Sequence, residues 1–237
     1  YVDWSPDFNQ LSPHALKATH FFLVRELKEG GWLLGEMGDR AAAGKYARWA
    51  EEATAAAQRY LLDSSTNTFG DRWQENTWAV YSGVATAAQR KAIWTQVLSH
   101  RYPVELFMTP YQHNYTLQAM SALGHTREAL EFVRWYWGGM LAEGATSTWE
   151  GYDPRWPKDH FHRYLQADNG RGYFVSLAHG WSSGVTTWLT QAILGVRPLE
   201  AGMRRVSIRP DLVDLAWARG KVPTPRGPIE VSLRKAG

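Results

Sequence analysis

Gly38-Asp39-Arg40-Ala41-Ala42-Ala43-Gly44-Lys45-Tyr46-Ala47-Arg48-Trp49-Ala50-Glu51-Glu52-Ala53-Thr54-Ala55-Ala56-Ala57-Gln58-Arg59-Tyr60 carries a helix together with its start signal. Gly38 can close a preceding helix in the left-handed conformation, and Asp39 can cap the next one. Ala43, Tyr46, Ala50, Ala53, Ala57 and Tyr60 then recur at three- and four-residue steps, which gathers them on one face of small side chains where a partner helix can approach closely. A connection this short forces the two helices to lie antiparallel.

The same punctuation repeats along the chain. Ser12-Pro13 and Thr109-Pro110 each set a capping hydroxyl before a proline at the first helical position, where the missing N–H costs nothing. Thr86-Ala87-Ala88-Gln89 after Gly83 fits a capping box, and Gly124 closing one helix with Thr126 capping the next predicts another tight hairpin. Leu130, Val133, Trp137, Met140 and Leu141 repeat the helical spacing, and a last helix is expected from about Gly180 to Leu194. The reading is about seven helices in antiparallel neighbours. Beyond them Pro198, Pro210, Pro223, Pro225 and Pro228 break helices, while Val206-Ser207-Ile208 and Ile229-Glu230-Val231-Ser232-Leu233 alternate as strands do. Two units are expected, a mainly α part over 1–196 and a β-rich segment over 197–237.

Composition excludes several classes. The 26 basic and 23 acidic residues are spread along the chain, so the stripe expected of a nucleic-acid-binding surface is missing. No run approaches the length of a membrane helix, and Tyr1-Val2-Asp3-Trp4 lacks the features of a targeting segment. The abrupt start reads as a boundary inside a larger protein. Absence of cysteine excludes disulfides and thiolate metal sites without distinguishing cytosol from an exported compartment. Thirteen Trp and eleven Tyr are the outlier, as core filling or as a cleft that stacks on sugar rings.

Chemistry concentrates after the helix that ends near Gly144. Thr148-Trp149-Glu150 puts a carboxylate beside an indole at the mouth of a hairpin, which suits a water-activating base, although a glutamate after a helix, taken alone, is more often a solvated surface charge. The segment 147–174 has little apolar periodicity, as long functional loops do. Gly180-Trp181-Ser182-Ser183-Gly184 matches a nucleophile elbow, yet the acid and histidine should follow the serine and His179 is the last histidine. A helix start packed against a neighbouring loop fits better. Asp159-His160-Phe161-His162 lacks a third ligand at a diagnostic spacing, so no metal is expected.

Taken in order, Tyr1-Val2-Asp3-Trp4 before a Ser-Pro start, Thr148-Trp149-Glu150, Ser176-Leu177-Ala178-His179-Gly180-Trp181 and Leu194-Gly195-Val196-Arg197-Pro198 form a series that resembles the α-L-rhamnosidases of glycoside hydrolase family 78. Gly202-Met203, Ile208-Arg209-Pro210 and the Gly220–Gly227 stretch extend the likeness into the tail. The resemblance implies part of an (α/α)6 toroid of antiparallel hairpins followed by a small β-sandwich-like segment. It implies hydrolysis of terminal α-L-rhamnosyl groups with inversion and without a cofactor. Glu150 matches the family's general base, with Asp3, Trp4, Trp149, His179 and Trp181 as substrate-binding residues. The partners implied are a rhamnosylated glycoside and the N-terminal part of the same protein, which would bring the general acid, since nothing here reproduces that motif. Two other readings stay open: a non-catalytic carbohydrate-binding or structural module, and a toroid enzyme for another sugar.

Overall fold

The computed structural model describes residues 3, 5, 7–8, 10–100, 108–155 and 176–235. Helix α1 (Pro13–Glu36) begins where Ser12 Oγ accepts the Ala15 N–H at 3.0 Å, and ends at a turn in which Gly38 takes a φ of 89°. Asp39 Oδ1 accepts the Ala42 N–H at 2.9 Å and starts α2 (Arg40–Tyr60). The two helices close on each other because Gly30 and Gly31 leave room for Tyr46; a methyl group at Gly30 would sit 3.0 Å from its ring. Next come α3 (Trp73–Tyr81), α4 (Ala87–Ile93), α5 (Pro110–Ala122), α6 (Thr126–Ala142) and α7 (Gly184–Trp188). Thr86 and Gln89 make the expected capping box on α4, and Thr109 caps α5 at the Gln112 N–H, 3.2 Å away.

Two local expectations change. Thr126 does not cap α6: His125 holds that position, with its ring stacked 3.5 Å from Trp94 and Nδ1 3.2 Å from Glu128 Oε1. The last helix is not one α-helix from Gly180 to Leu194 but a 3-10 turn (Gly180–Ser183), α7 and a π turn (Leu189–Ile193). The tight entry is set by the backbone of His179 and Ser182, and the wider exit by the Leu194 N–H bonding Leu189 O at 3.0 Å.

Side-chain partners show how the helices are arranged. His14 meets Glu75 while Lys28 reaches Ser82 O, Asp3 bridges Gln74 and Thr109 at the starts of α3 and α5 while Tyr81 meets Tyr115 farther along, and Asn114 faces Gly184 while Trp188 donates to Ser121. Helices α1, α3, α5 and α7 therefore run parallel in one arc, and α2, α4 and α6 are return legs. The arc's N-terminal ends share one rim with the segments around Asp3, Thr109, Glu150 and His179. The core beneath is aromatic, with Phe21, Phe69, Trp78, Tyr136, Tyr152 and Trp188 all buried.

The tail forms two antiparallel ribbons. β1 (Val196–Pro198) pairs with β2 (Val206–Ile208), and β3 (Trp217–Val222) with β4 (Ile229–Arg234). Strands β2 and β4 answer the alternation in the sequence. The pattern hid β1, which ends on a proline, and β3, where Gly220 admits Leu194 and Lys221 pairs with Glu230 across the ribbon at 2.7 Å. Leu194, Val196 and Val231 make a small core of their own. No helix among the described residues is long and apolar enough to cross a membrane.

Candidate active site

The Thr148–Glu150 stretch is not a free loop. Glu150 N–H bonds Ser176 O at 2.8 Å and His179 N–H bonds Thr148 O at 2.9 Å, so two segments far apart in sequence pair through their backbones. Thr148 Oγ1 donates to His179 O at 3.1 Å and closes the same clip. Glu150, half-buried, has its carboxylate oriented by the Ser176 N–H, which donates to Oε2 at 2.9 Å. The indole of Trp181 donates to Glu150 O at 3.0 Å. The second carboxylate oxygen has no partner among the hydrogen bonds of the described residues, as a proton acceptor for a bound water requires.

An aromatic wall stands beside the carboxylate. The His179 ring lies 4.6 Å from that of Trp181, and Trp181 lies 5.7 Å from Tyr111, the second residue of α5. Tyr115 donates to the Tyr111 hydroxyl at 3.1 Å and packs on Trp78 at 4.4 Å. Burial of Tyr115 pushes its hydroxyl far above the ordinary tyrosine range, so it stays a donor. Trp149 is placed differently: its ring is 5% exposed and meets Tyr152 edge-on, so it packs beneath the carboxylate rather than beside the opening.

Ser182 answers the nucleophile-elbow motif. Its hydroxyl is fully buried and donates to Trp149 O, while its own carbonyl accepts from Trp137 Nε1 at 3.1 Å. A nucleophile at such an elbow must be exposed; this serine is a latch between the two halves of the clip. Ser183 donates to Gly180 O at 2.6 Å and closes the turn.

Asp3 is also enclosed. Oδ1 accepts from Thr109 Oγ1 at 2.6 Å and Thr109 N at 3.3 Å, and Oδ2 from Ser5 Oγ at 2.7 Å and Gln74 Nε2 at 3.0 Å. It joins the N-terminal segment to α3 and α5 at the rim. Tyr136 extends the tie, donating to Met108 O at 3.3 Å and Tyr152 O at 2.5 Å. Asp3 and Glu150 thus belong to one connected rim. Trp4 and Asp159-His160-Phe161-His162 lie outside the described residues.

The sequence reading missed a polar run inside an apolar helix, Gln74-Glu75-Asn76-Thr77 of α3, every member of which is buried. Glu75 touches His14 Nδ1 at 2.9 Å and lies 3.6 Å from Lys17 Nζ. Burial pushes its carboxyl above the usual range, and Lys17 and His14 pull in the opposite direction. His14, Asp71 and Glu75 could between them offer three ligand atoms to an ion, but Lys17 already occupies part of that space as a cation and Arg72 lies 3.6 Å from Asp71. The signal for the run was four polar residues between Trp73 and Trp78, a pattern that a purely structural inner helix would not carry. Tyr111 escaped notice too, although the Thr109-Pro110 cap placed it at a helix mouth.

Comparison with known proteins bears on this geometry. Residues 195–237 match the bacterial alpha-L-rhamnosidase C-terminal domain. Over 97 residues the chain is 35% identical to an alpha-L-rhamnosidase of Alteromonas sp. (strain LOR), which covers 40% of the chain and 10% of that protein. The GH78 family rhamnosidase of Bacillus sp. GL1 superposes with a TM-score of 0.79 at 25% identity over 98% of the chain. Together these matches support reading the chain as a fragment of a glycoside hydrolase family 78 rhamnosidase. It spans 25% of the Bacillus enzyme's length. The Streptomyces avermitilis alpha-L-rhamnosidase, solved in complex with L-rhamnose, shares the fold with a TM-score of 0.75 at 20% identity over 92% of the chain, and the chain spans 21% of it. The arc of hairpins with a β-rich end is thus the family's fold, in which the clip at Glu150 lies on the rim.

Proposed function

We propose that this chain supplies the water-activating side of an α-L-rhamnosidase active site, with Glu150 as the general base of an inverting hydrolysis. The observation that carries the reading is the clip between Thr148–Glu150 and Ser176–His179, which holds an oriented carboxylate beside an imidazole and an indole on the rim. In this mechanism water attacks the anomeric carbon on the face opposite the aglycone, and Glu150 takes one of its protons as the new C–O bond forms. The old glycosidic C–O bond breaks while a second carboxylic acid protonates the departing oxygen. Inverting enzymes keep the two carboxyl groups about 6.5–9.5 Å apart so that the water fits. His179 and Trp181 bind the sugar beside that water, while the buried Asp3 ties the rim together behind it.

The general acid comes from the N-terminal part of the same protein. In support, nothing in this chain reproduces the family's acidic motif, and Glu75, a buried carboxyl, is enclosed by His14, Lys17 and Gly70 with no room for a sugar oxygen. Also in support, α1 leaves Leu16 and Leu23 58% and 48% exposed one heptad apart at the end of the arc, a stripe that suits a further barrel helix. No cofactor is required. The mainly α part over 1–196 serves as catalytic scaffold and the segment 197–237 as its β-rich appendage.

The test is hydrolysis of 4-nitrophenyl α-L-rhamnoside by the protein carrying its whole barrel, with NMR reading the anomer first released. Glu150→Gln should cut kcat at least about a hundredfold, as loss of a general base does, with folding kept. Retained turnover in that variant would remove Glu150 from the mechanism. Rhamnoside binding without any turnover in the parent protein would favour a carbohydrate-binding module.

A further inference from the structure

We infer that Tyr111 is a positioning residue for the Glu150 carboxylate, acting through Trp181; the inference rests on Glu150 being the base. Three observations converge. Trp181 fixes the Glu150 main chain by donating to its carbonyl at 3.0 Å, so the tilt of the indole sets where the base stands. That indole meets the His179 ring at 4.6 Å and the Tyr111 ring at 5.7 Å, the latter inclined by only 32°. Unlike His179, whose backbone belongs to the same clip and moves with Trp181, Tyr111 comes from another helix. It sits on the first turn of α5, which Thr109 caps and Asp3 ties to the N-terminal segment and to α3.

Tyr111 is therefore a link between the first turn of α5 and the clip, additional to the Trp137 bond to Ser182 O. Its hydroxyl accepts from Tyr115, which packs on the buried Trp78, so the ring is held from behind as well. Removing the ring takes away the support that Trp181 draws from α5, and the Glu150 carbonyl shifts with the indole. Displacements on the order of 1 Å at a reacting group cost up to about a hundredfold in rate. The ring, not the hydroxyl, carries the effect.

The experiment is a double-mutant cycle on the protein with its whole barrel, using 4-nitrophenyl α-L-rhamnoside. Tyr111→Leu should lower kcat about tenfold to a hundredfold with KM within about twofold, and Tyr111→Phe should restore most of kcat, in keeping with a geometric rather than a chemical role. In a Glu150→Ala background, azide can attack the anomeric carbon directly because it needs no proton removed. Azide-supported formation of the rhamnosyl azide should then be the same with Tyr or Leu at 111, since the group that Tyr111 positions is gone. An equal loss in both backgrounds, a loss confined to KM, or no rescue by Phe would each overturn the inference. If instead Glu150→Ala itself retains full hydrolysis, it is the assignment of the base that fails.

Discussion

A carboxylate taken out of water needs donors, and those of Asp3 include Ser5, Gln74 and both the backbone and side chain of Thr109. Asp3→Ala strands buried donors at about 1–3 kcal/mol apiece where water cannot follow, so thermal unfolding should move down by several degrees even without substrate. An unchanged midpoint would mean that the pocket, not the fold, needs this residue. His113 makes a second prediction at this scale. It is fully buried among Phe132, Tyr136 and Trp137, and burial lowers its pKa to about 3 from an ordinary 6.5. Because the unfolded chain binds the proton first, stability is complete above pH 6.5 and falls as the pH drops toward 3. At pH 5 the loss is about 2 kcal/mol. Glu75 has the opposite sign: its raised pKa favours the folded state below 4.5 and costs stability as the pH climbs through the folded value. His113 tilts denaturant midpoints downward from pH 8 to 5, so His113→Gln should remove that contribution to the slope whatever it does to stability at pH 8. A slope unchanged in that variant would sink the assignment.

At the scale of elements, close approach at a single glycine joins α7 to α5. Any Cβ at Gly184 would overlap the Asn114 side chain, so Gly184→Ala should destabilise by about 1–3 kcal/mol. Asn114→Gly in the same chain, which removes the Cβ that would lie 2.6 Å away together with the amide, should make the two losses less than additive, because the obstacle is the Asn114 side chain and not backbone. Additive losses in the double variant, measured by denaturant titration, would show that the clash is not what Gly184 avoids. The same pair explains what the sequence could and could not announce. Hairpins were legible because their signals are local: Ser12, Asp39, Thr86 and Thr109 each cap the helix they precede. The breaks within the last helix were not, since the Gly180–Ser183 turn is shaped by bonds to Thr148 and Trp149, some thirty residues away. The two motifs that carry Glu150 and His179 stood out in the sequence by resemblance alone. Their pairing is a backbone event that leaves no mark on side-chain spacing, and Tyr111 becomes visible only once that pairing brings Trp181 against α5.

For the whole molecule the question is what fastens the β-rich end to the helical arc. The junction is narrow: Gly195 takes a φ of 73°, Arg209 N–H bonds its carbonyl at 2.9 Å and Asp211 N–H bonds Ile193 O at 3.2 Å. Val213, Leu215 and Ala218 then pack against the main core, and Arg134 on α6 grips Asp214 through two bonds of 2.8 and 2.9 Å. The ion pair is exposed on both sides and should matter little when salt screens it. The backbone joint is different in kind. A Cβ at Gly195 would overlap the carbonyl group of Arg209, which is main chain and cannot rotate aside, and the left-handed conformation adds strain for any L residue. Gly195→Ala should thus cost about 2 kcal/mol or more and loosen the β-rich end first. Brief trypsin digestion reads this directly, because Arg204 and Arg205 lie exposed between β1 and β2. The variant should be cut there at least several times faster than the parent while α1 to α6 remain protected. If cleavage accelerates equally in the helices, the two parts unfold as one cooperative unit, and the joint at Gly195 is a contributor to global stability instead of a seam.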